Sequence, residues 1–328
     1  LAMGVEDLSI SRPREKLLDW GIPMPNDPTH SVYVWIDALS NYYTALGLPE
    51  IGAEFDARDG RYWPCDVHLI GKDILWFHAV YWPCMLLALD VPLPKCVFAH
   101  GWWTSEGKKM SKTLGNFISR ETIAELCAEY SRDVYRYYLL RAVPFGTDGD
   151  FSRADLQLRY NAELANGVGN LLSRTITMIA SYFGDKETGQ VPAAGELPEA
   201  AGVLAAAADL CQSAPALMGE CAFGAYLEKV RLLTVATDRL IEETAPFKLA
   251  KTDRDGPRLK SVLYVCAESV RLALLHLEPF MPETVAKGYE QLGWKPVGLA
   301  GESARWGVLP AGATVRKGPG LFPRKDSV

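Results

Sequence analysis

Paired cysteines, a basic leader and a long apolar run are all missing from this sequence. The seven cysteines are scattered along 328 residues, and none belongs to a C-x-x-C pair. Disulfide frameworks and zinc ribbons both depend on close, repeated cysteine spacings, so we expect free thiols and no zinc site. No uninterrupted stretch of about 18 apolar residues occurs, and no basic-then-apolar segment opens the chain. These absences predict a cytoplasmic protein with no membrane partner.

An excess of basic charge is also missing. Lysine and arginine number 34 against 40 aspartate and glutamate residues, which gives a formal net charge of −6. Coating DNA requires a broadly basic surface, so we expect no DNA partner. RNA stays available as a partner, because a local basic stripe on an acidic protein can hold a folded RNA. The length and the hydrophobic content of 48% suit two globular domains.

The pattern of the sequence changes near residue 119. Upstream, short apolar runs at residues 32–36, 67–70 and 96–100 alternate with helical stretches, which is the rhythm of a parallel sheet with crossover helices. Three such strands amount to half of a doubly wound sheet. Downstream, helical periodicity predicts an all-α bundle and an extended tail at 301–328; the predicted helices span 120–141, 154–183, 200–217, 222–243, 258–277 and 282–292.

A lysine-rich tetrapeptide follows the third predicted strand. Lys109-Met110-Ser111-Lys112 lies between glycines, and two lysines three residues apart on such a loop can place two ammonium groups on one polyphosphate. A solvated basic loop is the competing interpretation, which the position after a half Rossmann strand disfavours. The segment resembles the K-M-S-K-S signature of class I aminoacyl-tRNA synthetases.

A second segment follows the second predicted strand. A glycine at the carboxyl end of a parallel strand lets a nucleotide approach the backbone, and an acid just beyond it can bind ribose hydroxyls, as Gly71-Lys72-Asp73 would. Ile74 and His78 lie four residues apart and share one face of the next predicted helix. Residues 68–78 resemble the corresponding segment of methionyl-tRNA synthetases.

A third segment, residues 33–42, carries Trp35, Leu39 and Tyr42 on a predicted strand and the helix after it. Both would flank the crevice at the carboxyl ends of the strands, where open α/β sheets bind ligands. The resemblance to methionyl-tRNA synthetases implies that these three residues, with Ile74 and His78, surround the methionine side chain. The family often has proline where this chain has Leu39.

Similarity to the family continues over roughly 300 residues, in a consistent order. Residues 161–174 resemble the first helix of the anticodon-binding domain, and Asn170 and Arg174 share a face of it. An amide and a guanidinium suit the edges of splayed anticodon bases. Phe247 stands where the family usually has tryptophan, and its ring can still stack on a base.

The resemblance implies a bacterial-type methionine–tRNA ligase that uses ATP to convert L-methionine to methionyl-adenylate and then charges tRNA(Met). Lys109 and Lys112 would be catalytic, because they would stabilise charge on the departing phosphates, with Mg²⁺ also on the phosphates. The residues implied in ATP binding are Gly71, Lys72, Asp73, Lys109, Met110, Ser111 and Lys112. No metal ligand is expected in the chain itself.

The expected fold is the C-terminal half of a Rossmann catalytic domain followed by an all-α anticodon-binding bundle. We assign residues 1–118 to the half Rossmann with the lysine loop, 119–153 to a connecting helical region, and 154–328 to the anticodon-binding domain with its tail. None of the five histidines opens an H-x-G-H motif. We therefore expect the first half of the catalytic domain to be missing and residues 1–328 alone to be inactive.

Two alternatives stay open. Another class I synthetase, for leucine, valine, isoleucine or cysteine, would share the lysine loop but not the segments around Trp35 and Gly71. The second alternative is a tRNA-binding module that has lost the activation chemistry and no longer acts as an enzyme.

Overall fold

The computed structural model describes residues 4, 7–17, 20–47, 62–105, 107–111, 116–296 and 301–325, with the backbone alone at 109, 301 and 302. The chain divides into two compact units, Leu1–Trp102 and Trp103–Val328. The described part of the lysine segment belongs to the second unit in this division, whereas the sequence analysis grouped it with the first. The three-part division at residues 118 and 153 stays a prediction.

The first unit contains two small sheets. Strand β3 (Asp27–Val32) pairs antiparallel with β1 (Ser11–Pro13) and with β2 (Pro23–Met24). Strands β4 (His68–Gly71) and β5 (Val97–His100) pair in parallel, in a register that places Gly71 opposite His100. Helix α1 (Val34–Thr44) follows β3, and α2 (Trp82–Ala88) lies between β4 and β5.

The strand predicted over residues 32–36 is wrong. Strand β3 ends at Val32, and α1 begins at Val34. The run V-Y-V-W-I is rich in β-branched and aromatic residues, but tertiary packing overrides that local preference. As a helix, the segment buries Leu39 among Trp63, Trp82 and Leu86. Within the described residues, the parallel sheet of the first unit therefore has two strands and not three.

A helix is predicted from residue 73 to 88, and the chain is indeed helical from Lys72 to Ala88, but with turns of three kinds. A 3-10 turn, Lys72–Ile74, is followed by a π-helical segment, Phe77–Tyr81, and then by α2. Short π segments inside helices are uncommon and are often found at functional sites. His78 lies in this one and is buried.

The second unit begins with a mixed sheet and continues as a helical bundle. Strand β6 (Trp103–Ser105) pairs antiparallel with β7 (Lys108–Lys109) and parallel with β8 (Gly149–Phe151). The helices are α3 (Arg120–Tyr130), α4 (Arg132–Arg141), α5 (Arg153–Arg159), a π segment (Tyr160–Gly169), α6 (Asn170–Tyr182), α7 (Ala201–Gly219), α8 (Phe223–Thr244), α9 (Pro246–Thr252), α10 (Pro257–Leu277) and α11 (Pro282–Leu292). Strands β9 (Thr188–Gln190) and β10 (Thr314–Arg316) pair antiparallel.

The helical pattern read from the sequence is confirmed, with two differences. The predicted helix 120–141 is two helices, because Ser131 adopts a positive φ of 95° and its side chain caps α4 by accepting a hydrogen bond from the Val134 N–H. The short helix α9 was missed; it begins after Ala245, whose φ is also positive. Proline at its first position suits a helix start, since that N–H has no partner within the helix.

Helix α10 lies at the centre of the bundle. Residues 261–277 are all buried, and the helix contacts α6, α7, α8, α9 and α11. Two charged side chains, Glu268 and Arg271, are fully buried within it and form a bidentate pair at 2.7 and 2.8 Å. A buried charge is tolerated when its remaining hydrogen-bonding groups are also satisfied.

The C-terminal tail satisfies those remaining groups. The Glu268 carboxylate accepts hydrogen bonds from the N–H groups of Gly307, Val308 and Leu309, at 2.6 to 3.1 Å. The Arg271 guanidinium donates to the carbonyls of Ser303 and Arg305, each at 2.7 Å. The buried pair therefore holds residues 303–309 against α10.

One described helix, Pro198–Gly219, is long and apolar enough to cross a membrane by length and composition alone. Its buried residues Val203, Ala207, Leu210 and Ala214 recur every three or four positions and belong to the core of the bundle. That spacing is typical of a helix with one face on a globular core.

We predict that Glu268→Ala lowers the free energy of unfolding of the helical unit by about 3–5 kcal/mol, because it leaves the Arg271 charge buried without its partner. The measurement is urea unfolding followed by far-ultraviolet circular dichroism. Glu243→Ala is the control: its pair with Arg239 has side chains 51% and 78% exposed, and such pairs contribute about 0–1 kcal/mol. Equal destabilisation by the two variants would contradict the prediction.

Candidate functional site

Helix α1 brings three of the predicted residues to one face. Trp35, Leu39 and Tyr42 are separated by four and three positions, so they share one face of the helix. Only Trp35 had been placed on the strand that was wrongly predicted, and the observed helix brings it onto the face of the other two. Leu39 is 1% exposed and packs in the core beneath the other two.

Tyr42 and His78 are joined by a hydrogen bond. The Tyr42 hydroxyl lies 3.0 Å from His78 Nε2, and His78 Nδ1 lies 3.0 Å from the carbonyl oxygen of Ile74. Because a carbonyl only accepts, Nδ1 carries a proton and donates to Ile74. In the neutral ring Nε2 then accepts from the Tyr42 hydroxyl. Burial raises the pKa of Tyr42, so its hydroxyl keeps the proton that it donates.

Aromatic rings surround this pair. Trp35 stacks on Phe77 with ring centroids 4.1 Å apart and an interplanar angle of 11°, and its edge faces His78. On the other side, Tyr42 lies 4.4 Å from the ring of His68 and 6.2 Å from that of Trp82. We call this group, Trp35, Tyr42, His68, Phe77, His78 and Trp82, the aromatic cluster.

The second histidine of the aromatic cluster is held neutral. Trp82 Nε1 donates to His68 Nε2 at 3.1 Å, so the neutral ring carries its proton on Nδ1. Burial lowers the pKa of His68, and the neighbouring His78 lowers it further. His68 is therefore neutral near pH 7, and the side of the cluster that it forms with Trp82 suits an uncharged side chain better than a charged one.

The sequence analysis missed three members of the aromatic cluster. His68 was quoted only as part of the matching segment, and neither Phe77 nor Trp82 was assigned a role. Trp82 lies four positions after His78, a spacing that indicates a shared helix face. The contact between His68 and Trp82 joins a strand to a helix, and no local pattern indicates it. Ile74, which was predicted to line the pocket, contributes the carbonyl that fixes His78.

The glycine segment lies at the carboxyl end of the parallel strand pair. A Cβ atom on Gly71 would lie 2.6 Å from the Asp73 carboxylate oxygen, so any other residue would displace that exposed carboxylate. The Lys72 ammonium lies 4.5 Å from the centroid of the Trp102 ring. Glycine, lysine and acid thus meet at the edge where parallel sheets bind nucleotides, in the same unit as the aromatic cluster.

The lysine segment is described in part. Gly107 turns the chain between β6 and β7 with a φ of 73°, and its N–H donates to the Asp150 carboxylate at 2.8 Å. The Ser111 N–H donates to the Asn116 side-chain oxygen at 2.9 Å. These bonds fix both ends of the backbone that carries Lys109 and Met110. Lys112 and the side chain of Lys109 lie outside the described residues.

The predicted anticodon residues lie on α6 and α9. Arg174 is paired with Asp238 of α8 through a 3.3 Å contact, a partner that the sequence analysis missed. Burial raises the pKa of Asp238, and Arg174 opposes that effect. Phe247 is 49% exposed, so its ring is available for stacking. Asn170 begins α6 directly after the π segment Tyr160–Gly169.

No cluster of three or more His, Cys, Asp or Glu side chains in the described part of the chain is arranged to hold a metal ion.

Comparison with known proteins identifies the family of the chain. The family described as tRNA synthetases class I (M) matches residues 1–176. A methionine–tRNA ligase of Caldanaerobacter subterraneus is 46% identical over 98% of this chain and 49% of its own length. That of Enterococcus faecalis is 44% identical over 98% of this chain and 47% of its own. The chain thus spans about half the length of these relatives.

A solved structure is also similar. It is the Mycobacterium tuberculosis methionyl-tRNA synthetase in complex with methionyl-adenylate. That protein is 38% identical to this chain, and the two structures superpose with a TM-score of 0.85. The match covers 98% of this chain and 61% of the solved one. The family match covers more than half of the sequence, and the fold agrees with it. The chain belongs to the class I tRNA synthetases of the (M) family.

Proposed function

We propose that this chain is the part of a methionine–tRNA ligase that holds the methionine side chain, one side of the ATP and the anticodon of tRNA(Met). The observation that carries the proposal is the aromatic cluster, in which Tyr42, His78 and the Ile74 carbonyl form one hydrogen-bonded chain. The names of the relatives support the same assignment.

The aromatic cluster matches the chemistry of a thioether. Sulfur makes favourable contacts with aromatic rings, and Trp35, Phe77 and Tyr42 supply such rings. A methionine site lined by these rings would disfavour lysine and arginine side chains, because each would have to bury a charge without a partner. An apolar pocket separates near-isosteres by only about 1–3 kcal/mol per methylene, so we expect some activation of homocysteine.

The glycine and lysine segments would position ATP. Asp73 would bind the ribose hydroxyls, with Gly71 allowing close approach and Lys72 beside it. Lys109 and Lys112 would stabilise negative charge on the departing pyrophosphate. Mg²⁺ would come with the phosphates, since it prefers their oxygens as ligands. The methionine carboxylate would attack the α-phosphorus of ATP and displace pyrophosphate, and a hydroxyl of the terminal tRNA adenosine would then attack the methionyl carbonyl and release AMP.

The helical unit would read the anticodon. Arg174 is 38% exposed while its other side contacts Asp238, so its guanidinium is held in place yet reachable. Asn170 shares its helix face, and Phe247 offers an exposed ring for stacking.

The first test is amino acid-dependent ATP–pyrophosphate exchange. We expect exchange with methionine by a fused protein in which the amino-terminal half of the Caldanaerobacter ligase precedes residue 1, and none by residues 1–328 alone. Exchange with leucine, valine, isoleucine or cysteine in place of methionine would assign another class I activity. Exchange by residues 1–328 alone, at the rate of the fused protein, would contradict the expectation that half of the ATP site is missing.

The second test removes one hydroxyl from the aromatic cluster. In the fused protein, Tyr42→Phe leaves His78 Nε2 buried without a donor, which costs about 1–3 kcal/mol. We expect a KM for methionine raised about tenfold, measured by pyrophosphate exchange, with the KM for ATP unchanged. The control is Leu87→Ala, an exposed apolar residue on α2 that belongs to neither the aromatic cluster nor the core. An unchanged KM for methionine in Tyr42→Phe would show that the hydrogen bond between Tyr42 and His78 does not contribute to methionine binding.

The third test concerns the anticodon. We expect Arg174→Ala in residues 1–328 to weaken binding of tRNA(Met) by about 1–3 kcal/mol, and to reduce the preference for the methionine anticodon, because a base-edge contact is lost. Arg239→Ala is the control, since it also removes an arginine from a pair with a carboxylate. Equal losses for tRNA(Met) and for a tRNA with an altered anticodon would make Arg174 a structural residue.

A further inference from the structure

A basic cleft lies between α11 and the C-terminal tail. Its volume is about 420 Å³, and Lys287, Arg316 and Lys317 line it, together with one carboxylate, Glu290. We call it the tail cleft. The whole chain carries a formal net charge of −6, so three cations around one cleft are a local reversal of its charge. Within the described ranges, none of the three lysine and arginine side chains forms an ion pair.

The backbone of the tail cleft is held firmly. Arg316 belongs to β10, and the Lys317 N–H donates to the Glu187 carbonyl at 2.9 Å. The Gln291 side-chain amide donates to the Pro319 carbonyl at 2.9 Å. A Cβ atom on Gly318 would lie 2.9 Å from that same amide, so glycine allows this close approach. The cations therefore project from an ordered backbone.

The tail connects the cleft to the start of α6. Leu321 lines the cleft, and the next residue, Phe322, packs on Gly169 so closely that a Cβ there would lie 2.9 Å from its ring. Gly169 directly precedes Asn170. Beyond it, the Tyr160 hydroxyl donates to the Pro323 carbonyl at 2.6 Å. The tail thus contacts the start of α6 one residue after it leaves the cleft, and a polymer bound at Asn170 would lie beside that contact.

The lining indicates which ligand fits. Among the residues that the structure describes, no aromatic ring lines the tail cleft, so these residues offer bases nothing to stack on. Lysine and arginine on an open surface bind phosphates as charges, without reading sequence. A free nucleotide would need further contacts in order to bind here. A polyanion that another part of the protein already holds nearby needs only these charges.

We propose that the tail cleft binds the phosphodiester backbone of the tRNA whose anticodon is read from α6. This inference rests on the proposed function of the helical unit. The cleft supplies sequence-independent affinity, while Asn170 and Arg174 supply selectivity.

The experiment compares two triple variants of residues 1–328 in their binding to tRNA(Met) between low and physiological salt. Lys287→Ala, Arg316→Ala and Lys317→Ala together neutralise the tail cleft. The matched control combines Lys95→Ala, Lys229→Ala and Arg239→Ala, which removes the same amount of charge from ion pairs outside the cleft. Thermal unfolding of both variants confirms that they remain folded.

We expect the cleft variant to bind tRNA(Met) at least tenfold more weakly at low salt. The slope of log K against log salt, where K is the association constant, should become less negative by about 2–3, about one for each lost phosphate contact. The control should retain both the affinity and the slope. The discrimination against an altered anticodon should be the same in the cleft variant as in the unmodified chain, because phosphate contacts carry no sequence information.

Equal losses of tRNA(Met) affinity in both triple variants would show that the effect comes from the net charge of the chain, and would overturn the proposal. So would an unchanged salt slope in the cleft variant, or a loss of anticodon discrimination equal to that of Arg174→Ala. A failure of the proposed function looks different: the unmodified chain would then bind tRNA(Met) and an altered anticodon equally well, whatever the cleft variant does.

Discussion

The ion pair between Glu268 and Arg271 is the interaction on which the helical unit depends. Both side chains are completely buried in α10, where neither charge is tolerated without full hydrogen bonding. The chain segment that supplies those bonds, residues 303–309, is distant in sequence, so the pair fixes the tail. The tail in turn places Phe322 against Gly169, at the start of the helix that carries Asn170 and Arg174. A requirement of the core thus determines the geometry of the proposed RNA-binding surface.

His68 of the aromatic cluster is buried without a charge, whereas Glu268 and Arg271 are buried as a charged pair. Because the Trp82 indole N–H donates to His68 Nε2, that nitrogen carries no proton and the ring stays neutral. A charged ligand placed against this ring would lose its hydration without gaining a partner. The proposed preference for an uncharged amino acid side chain would then have the same physical origin as the neutrality of His68.

The sequence predicted most of the helical unit and part of the site. Helices such as α6 and α11 follow from buried positions recurring every three or four residues, a local signal. The strand predicted over residues 32–36 was wrong, because the composition of this segment favours a strand while the packing of Leu39 requires a helix. The resemblance to a family named Tyr42 and His78 as residues around the methionine side chain, but it did not predict the hydrogen bond between them. The partners of His68 and Arg174, and the tail partners of Glu268, were not predicted either, because each contact joins two different elements and obeys no spacing rule.

The reach of the tail back to the first helices of the unit has a consequence during synthesis. The Lys325 backbone exchanges hydrogen bonds with the Asn161 side chain, and residues 303–309 complete the polar partners of α10. Domains usually fold as units while the ribosome extends them from the amino terminus. Here the bundle lacks its last hydrogen-bonding partners until residues 303–325 have left the ribosomal exit tunnel. Until then the nascent helices are incompletely packed and accessible to chaperones.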